Sequence, residues 1–175
     1  MEELYLKQLE LSDEKAVSDY LKELILNGNA IKGFLYEDGK TFIETFNNLK
    51  QKESIPFISY NQDEFPCVQY LLIRKEDNKM VGAVNIRPFL TKELDKEFEG
   101  NIGYSIRPTE RGKGYAHVIL SLAIKEFKKL NESDDIIMCC YKDNFPSKKV
   151  ILKAGGKLME EENGILIAEK YIIKR

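Results

Sequence analysis

A short basic segment rich in glycine is the part of this 175-residue chain whose residue types best fit a chemical task. It reads RGKGYA over residues 111–116, between an extended run, residues 102–106, and an amphipathic stretch. The first N–H groups of a helix have no partner within the helix and can bind an anion. Glycine lets a backbone approach a ligand closely. The segment therefore predicts a phosphate-binding turn.

Three phosphate-binding motifs can be compared with this turn. The P-loop pattern G-x-x-x-x-G-K-[ST] does not occur in it. The dinucleotide pattern G-x-G-x-x-G fits Gly112 and Gly114, but His117 stands at its third glycine. The pattern [QR]-x-x-G-x-[GA] is satisfied by Arg111, Gly114 and Ala116. The last pattern fits best.

With this hexapeptide and the segment that follows, the chain resembles the GNAT superfamily of acyl-CoA-dependent N-acyltransferases. A strand over residues 136–141 leads into Asn144-Phe145-Pro146-Ser147, and a short helix then ends at Gly155-Gly156. The superfamily has the same order of strand, Asn-x-x-Ser, helix and glycine. The resemblance covers roughly residues 68 to 160 and rests on two separate motifs.

Alternating strand and helix patterns predict a single α/β domain over residues 1–175. Ser12 is the expected N-cap of the first helix, and Asn163-Gly164 predicts a hairpin. The resemblance implies a mixed, centrally splayed sheet of about seven strands flanked by about four helices. The predicted helices are 13–26, 39–50, 115–130 and a short one after Ser147, and the predicted strands are 4–9, 68–73, 80–87, 102–106, 136–141, 157–161 and 165–173.

The resemblance also implies how acetyl-CoA, the acyl donor, binds. Main-chain groups of Ser105, Ile106 and Arg107 are expected to pair with the pantetheine arm as an added strand. N–H groups of Gly112, Gly114, Tyr115 and Ala116 are expected to hold the pyrophosphate, with Arg111 organising the loop and Lys113 adding charge. Asn144 and Ser147 are expected to contact the arm. The cofactor-binding residues are therefore Ser105, Ile106, Arg107, Arg111, Gly112, Lys113, Gly114, Tyr115, Ala116, Asn144 and Ser147.

The catalytic residues follow less directly from the resemblance. Many relatives protonate the leaving thiolate with a tyrosine seven residues after the asparagine, and this chain has Ile151 there. Tyr141 and Tyr104 are the candidate replacements, and Glu99 is the candidate base. Segments that border the acceptor contain Tyr60, Glu64, Tyr70, Asn85 and Arg87.

Bulk properties exclude several classes of protein. A net charge of −2 gives no reason to expect nucleic acid or an anionic membrane as a partner. The start Met1-Glu2-Glu3 and the lack of a long apolar run predict neither a signal peptide nor a membrane span. One histidine and three cysteines without metal-ligand spacing predict no metal site and reduced thiols in a cytoplasm.

The sequence is interpreted as an acetyl-CoA-dependent N-acetyltransferase that acts on a primary amine of a small molecule or peptide. Direct transfer in a ternary complex is expected, and a homodimer is compatible with the sequence. Two alternatives stay open. A non-catalytic acyl-CoA-binding regulatory module is favoured by Ile151, and a dinucleotide-binding oxidoreductase only by Gly112-Lys113-Gly114.

Overall fold

The computed structural model of the chain describes residues 3–29, 31–36, 39–54, 66–90, 100–131, 135–159 and 168–174. These residues form seven strands and four α-helices. The strands are β1 (Leu4–Gln8), β2 (Val68–Arg74), β3 (Lys79–Ile86), β4 (Ile102–Ile106), β5 (Ile136–Tyr141), β6 (Gly156–Leu158) and β7 (Ala168–Ile173). The helices are α1 (Glu14–Leu26), α2 (Phe42–Glu53), α3 (Tyr115–Leu130) and α4 (Phe145–Lys153).

The strands form two antiparallel sheets that meet at the start of β4 and β5. One sheet has the order β1-β2-β3-β4 and the other β5-β7-β6. Asn101 joins them, because its N–H donates to Ile137 O at 2.7 Å and its Oδ1 accepts from the Ile137 N–H at 2.7 Å. Beyond this junction β4 and β5 belong to different sheets. The predicted α/β fold with a centrally divided sheet is confirmed.

Two apolar clusters hold helices against the faces of the first sheet. On one face, α3 buries Ile119, Leu120, Ala123 and Phe127 against β2, β3, β4 and the second sheet. On the other face, α1 and α2 bury Tyr20, Leu24 and Leu49. Burying apolar area is the main favourable contribution to folding, at about 25 cal/mol per Å². This packing fixes the position of the glycine loop that precedes α3.

The predicted N-cap of the first helix is wrong. Ser12 lies inside a 3₁₀ turn, Leu11–Asp13, and α1 begins at Glu14. The Asp13 carboxylate causes this, since it accepts a hydrogen bond from the Glu10 N–H at 2.9 Å and pairs with Lys7 at 2.7 Å. The bond to Glu10 closes the turn, and the ion pair with Lys7 ties the turn to β1.

The second helix is displaced from the predicted range 39–50. It begins at Phe42 because Thr41 and Glu44 form a capping box, in which each side chain bonds the backbone N–H of the other residue. The Thr-x-x-Glu signal was present in the sequence. The expected Asn163-Gly164 hairpin lies outside the described residues.

None of the helices described is long and apolar enough to span a membrane. The same part of the chain contains no group of three or more His, Cys, Asp or Glu side chains placed to hold a metal ion.

Candidate active site

A cleft of about 690 Å³ opens between the diverging C-terminal ends of β4 and β5. Its walls come from β4, from the glycine loop with the first turn of α3, and from the end of β5 with the start of α4. The predicted residues that line it are Tyr104, Ser105, Ile106, Arg111, Gly112, Gly114, Tyr115, Ala116, Tyr141, Asn144 and Ser147. Residues predicted from separate motifs are therefore brought together here.

The glycine loop has the shape required for a close approach by an anion. Gly112 and Gly114 have φ angles of +79° and +83°, a left-handed conformation that side chains disfavour. A Cβ built at either glycine would meet no heavy atom within 4 Å, so the space beside the loop is open. Gly114 also starts α3 without a side-chain cap. The first-turn N–H groups, including those of Tyr115 and Ala116, are thus presented at this opening.

Arg111 connects the loop with two other segments of the chain. Its Nε donates to the carbonyl oxygen of Ile106 at 3.2 Å, and its Nη1 donates to Asn29 Oδ1 at 2.9 Å. One side chain thereby joins the end of β4, the glycine loop and the segment after α1. Its interactions with the protein favour a positioning role over direct ligation.

Glu110 anchors the other side of the loop. Its carboxylate is buried and bonds Arg74 Nη1 at 2.8 Å, Lys79 Nζ at 2.7 Å and Lys113 Nζ at 2.7 Å. Burial alone would raise the pKa of Glu110, but the hydrogen bonds from Lys113, Lys79 and Arg74 outweigh it and lower the pKa to about 2. The Lys113 ammonium is consequently directed to Glu110, and Lys113 is not among the described residues that line the cleft.

The main chain of β4 faces β3 at alternate residues. The Arg87 N–H donates to Asn101 O at 2.7 Å and the Arg107 N–H donates to Val81 O at 2.9 Å. In an antiparallel ladder this pattern repeats every second residue, so Ser105 also faces β3. The expectation that Ser105 and Arg107 offer main-chain groups to a ligand is corrected here. Tyr104 and Ile106 are the residues whose main chain faces the open edge.

The side chain of Arg107 is also committed elsewhere. It is buried, donates from Nε to Met80 O at 2.8 Å and from Nη1 to Glu23 Oε2 at 2.9 Å. Its guanidinium also lies over the Tyr20 ring, 5.7 Å from the centroid. Arg107 therefore fastens the end of β4 to α1.

Two hydroxyl groups meet inside the cleft. Tyr104 Oη and Ser147 Oγ are 3.3 Å apart, which links β4 with α4. Burial raises the pKa of Tyr104, so its hydroxyl stays protonated at neutral pH. Tyr141, the other tyrosine candidate, lies at the mouth with 47% of its surface exposed. Asn144 caps α4 by accepting the Ser147 N–H at 3.2 Å.

The Ile151 side chain lies in the core and is not among the described residues that line the cleft. It is fully buried, and a Cβ built at Gly156 would lie 2.5 Å from its Cγ2. The position at which many relatives carry a tyrosine is therefore part of the core. The predicted base, Glu99, and the acceptor-side residues Tyr60 and Glu64 lie outside the described residues.

The loop after α1 completes the cleft with residues that the sequence does not indicate, Asn29 and Lys32. Gly33, at φ +74°, lets this loop lie against the sheet, since a Cβ there would be 2.5 Å from Ala83 O and 2.6 Å from Ser105 N. Tyr20 and Ser105 share a hydroxyl hydrogen bond of 2.6 Å beneath it. The only sequence signal for this loop is the helix end at Asn27-Gly28-Asn29, because these contacts join residues that are at least 50 positions apart in the chain.

Comparisons with known proteins agree with this arrangement. A family model described as the acetyltransferase (GNAT) domain matches residues 5–157. No curated protein matches the chain. Similar solved structures include a GNAT-family acetyltransferase from Bacillus anthracis, at 21% identity over 99% of this chain and 96% of that one, with a TM-score of 0.62.

Two further structures bear names that specify an acceptor. The ribosomal-protein-S5-alanine acetyltransferase from Vibrio fischeri is 14% identical over 100% of this chain and 93% of that one, with a TM-score of 0.66. Mutant forms of the spermidine/spermine N-acetyltransferase from Vibrio cholerae are 15% identical over 98% and 93%, with a TM-score of 0.62. At these identities the likeness shows the fold.

Proposed function

This chain belongs to the GNAT acetyltransferase family, and from that premise we propose that it transfers an acetyl group from acetyl-CoA to a primary amine of a small molecule or peptide. The transfer is direct, within a ternary complex. The observation that carries the proposal is the cleft between β4 and β5, into which the glycine loop and the start of α3 open.

The cleft suits the acyl donor in both shape and polarity. Open space beside Gly112 and Gly114 accommodates a pyrophosphate, and the first turn of α3 supplies N–H donors to it. The outward main chain of Tyr104 and Ile106 would pair with the amide-containing arm. When bound, acetyl-CoA supplies an activated thioester. Holding it beside the amine supplies a large part of the rate through proximity.

Tyr104 and Ser147 are the groups that we assign to the leaving thiolate. Each carries a hydroxyl at the cleft, and the two are 3.3 Å apart. A proton passed from Ser147 can be replaced from Tyr104, which burial keeps protonated. Tyr141, at the mouth of the cleft, is the second candidate for the same task.

The cysteines favour direct transfer over an acyl-cysteine intermediate. Burial raises the pKa of Cys67 to about 12 and raises the pKa of Cys140, which disfavours the nucleophilic thiolate in both. Cys67, Cys139 and Cys140, all within the described residues, form no disulfide, which suits the reducing cytoplasm in which we place the reaction.

A screen of amines tests the proposal. The protein is incubated with acetyl-CoA and with spermidine, L-lysine, alanyl-alanine and seryl-alanine, and the products are identified by mass spectrometry. We expect one acceptor to gain an acetyl group while free thiol is released. The proposal would be contradicted if the parent protein acetylated none of these four amines and no member of a wider set of primary amines.

A non-catalytic acyl-CoA-binding module is the second candidate, and the buried Ile151 favours it because the usual proton donor is absent. Such a module would bind coenzyme A, measured by calorimetry, without releasing thiol in the presence of any amine. Binding together with turnover would exclude it.

A further inference from the structure

Two buried amide side chains lie side by side on the face of the sheet that α1 and α2 cover. Gln69 on β2 and Asn85 on β3 are directly opposite each other, with 0% and 3% of their surfaces exposed. Gln69 is fully bonded, since its Nε2 donates to Gly33 O and Val84 O at 2.9 Å and its Oε1 accepts from the Leu35 N–H at 3.2 Å. Gln69 therefore holds the loop after α1 against the sheet.

Asn85 differs from its neighbour in one respect. Its Oδ1 is buried and has no hydrogen-bond donor in the described part of the chain. Buried polar atoms in folded proteins are almost always bonded, because leaving one unpaired costs its full desolvation energy. An unpaired oxygen that is retained despite this cost is available to a donor that the described residues do not supply.

The position of Asn85 relates this oxygen to the active-site cleft. Gly103 on β4 is directly opposite Asn85, and a Cβ there would be 2.9 Å from Oδ1. Because Gly103 has no side chain, the Asn85 amide has space to lie beside it. Gly103 is next to Tyr104, which lines the cleft, and about 7 Å along β4 from Ser105, which also lines it.

We infer that Asn85 is a specificity-determining residue for the acceptor, and that its Oδ1 accepts a hydrogen bond from an N–H group of the acceptor beside the reacting nitrogen. The inference rests on the proposed function. The acceptor class is accordingly one with an N–H next to the primary amine, either a peptide amide or the secondary amine of a polyamine. The carbon chain of a simple alkylamine offers no such donor.

Three matched variants separate this role from a structural one. Asn85→Leu removes the unpaired oxygen at nearly constant shape, Gln69→Leu removes a fully bonded amide, and Thr45→Val removes the hydroxyl of Thr45. That hydroxyl is the other buried oxygen without a partner among the described residues, and it lies at the cavity between α1 and α2. Melting temperature is measured for all three, and kinetics are measured with alanyl-alanine and spermidine.

We expect Gln69→Leu to lower the melting temperature and Asn85→Leu to leave it unchanged or raise it. For whichever of the two acceptors is used, Asn85→Leu raises the acceptor KM about tenfold, the effect of one lost hydrogen bond, and leaves the acetyl-CoA KM unchanged. Thr45→Val changes neither KM. Asn85→Asp keeps an oxygen at the same place and retains an acceptor KM closer to that of the parent.

Two results would overturn the assignment. One is an Asn85→Leu melting temperature that falls as far as that of Gln69→Leu, which would make the amide structural. The other is an acceptor KM that Asn85→Leu leaves unchanged, or that Asn85→Asp impairs as much as Leu does. The comparison of melting temperatures needs no acceptor, so it tests Asn85 even if the parent protein acetylates no amine. Inactivity of the parent toward all amines would count against the proposed function alone.

Discussion

The Tyr104 hydroxyl lies 3.3 Å from the Ser147 hydroxyl, and this contact joins β4 to α4 across the cleft. Both residues belong to motifs that are separated by a helix and a strand in the sequence. Their meeting places a protonated phenol behind a small hydroxyl at the point where the two sheets diverge. A pair of this kind can replace the proton donor that Ile151 does not provide.

We predict that Tyr104→Phe lowers kcat while the KM for acetyl-CoA changes little. The ring and its packing are kept, and only the hydroxyl is lost, so the loss of rate is part of the roughly 10²–10⁴-fold that general acid catalysis contributes. Tyr141→Phe is the matched variant at the mouth of the cleft, and steady-state kinetics with the identified amine compare the two. If the Tyr104→Phe enzyme kept the parental kcat at every pH, Tyr104 would not be the proton donor, and Tyr141 or water would have that role.

We predict that Gly114→Asp abolishes coenzyme A binding while the protein still folds. The new carboxylate would occupy the open space beside the loop and repel the pyrophosphate. Gly39→Asp is the control, because Gly39 has a φ of +81°, close to the +83° of Gly114, and equally open surroundings, yet Gly39 does not line the cleft. Calorimetry with coenzyme A gives the comparison. Equal affinity in the two variants would refute the assignment of the loop.

The sequence predicts the elements around the loop closely, because the signals there are local. The bounds of β4 and α3 follow from apolar runs with a proline or glycine near one end, and those of β5 follow from an apolar run between Asp135 and Lys142. All three agree with the structure. The start of α1 depends on a carboxylate that bonds backward to β1, and a pattern of apolar residues does not contain that information.

The cleft itself could be predicted only in part. Motifs identify the glycine loop and Asn144, but the contribution of Lys32 depends on a loop that is held against β4 by Gly33 and Gln69. The direction of the β4 main chain depends on its register with β3, which separates Ser105 from Ile106. Such contacts between distant segments have no signature at either residue alone.

We predict that Ile151→Tyr destabilises the protein, although many relatives carry a tyrosine at this position. The side chain is fully buried against Gly156, so the larger ring overpacks the core at a cost of about 1–3 kcal/mol. Leu152→Tyr, at an adjacent position with 53% exposure, should be nearly neutral. Thermal unfolding measures both. Equal melting temperatures would show that the core opens easily at residue 151.

We predict that Glu110 contributes to the loss of stability in acid. Its pKa is about 2 in the folded protein and its ordinary value is near 4.5, so the ionised form is favoured by folding. The contribution is therefore fully present above pH 4.5 and is lost as the pH falls through about 2. Glu110→Gln should be less stable than the parent at neutral pH, with a difference that shrinks below pH 4.5. Denaturant unfolding across this pH range would contradict the prediction if the difference stayed constant.

Acetyl transfer to an amine is measured most directly by its stoichiometry in a single reaction mixture. The parent protein, acetyl-CoA and the amine found in the screen are mixed, and acetylated amine and free thiol are quantified together over time. We predict that the two appear in equal amounts, that both require the amine, and that Gly114→Asp produces neither. Thiol release that is independent of the amine, or its absence with every amine although coenzyme A binds, would contradict an N-acetyltransferase.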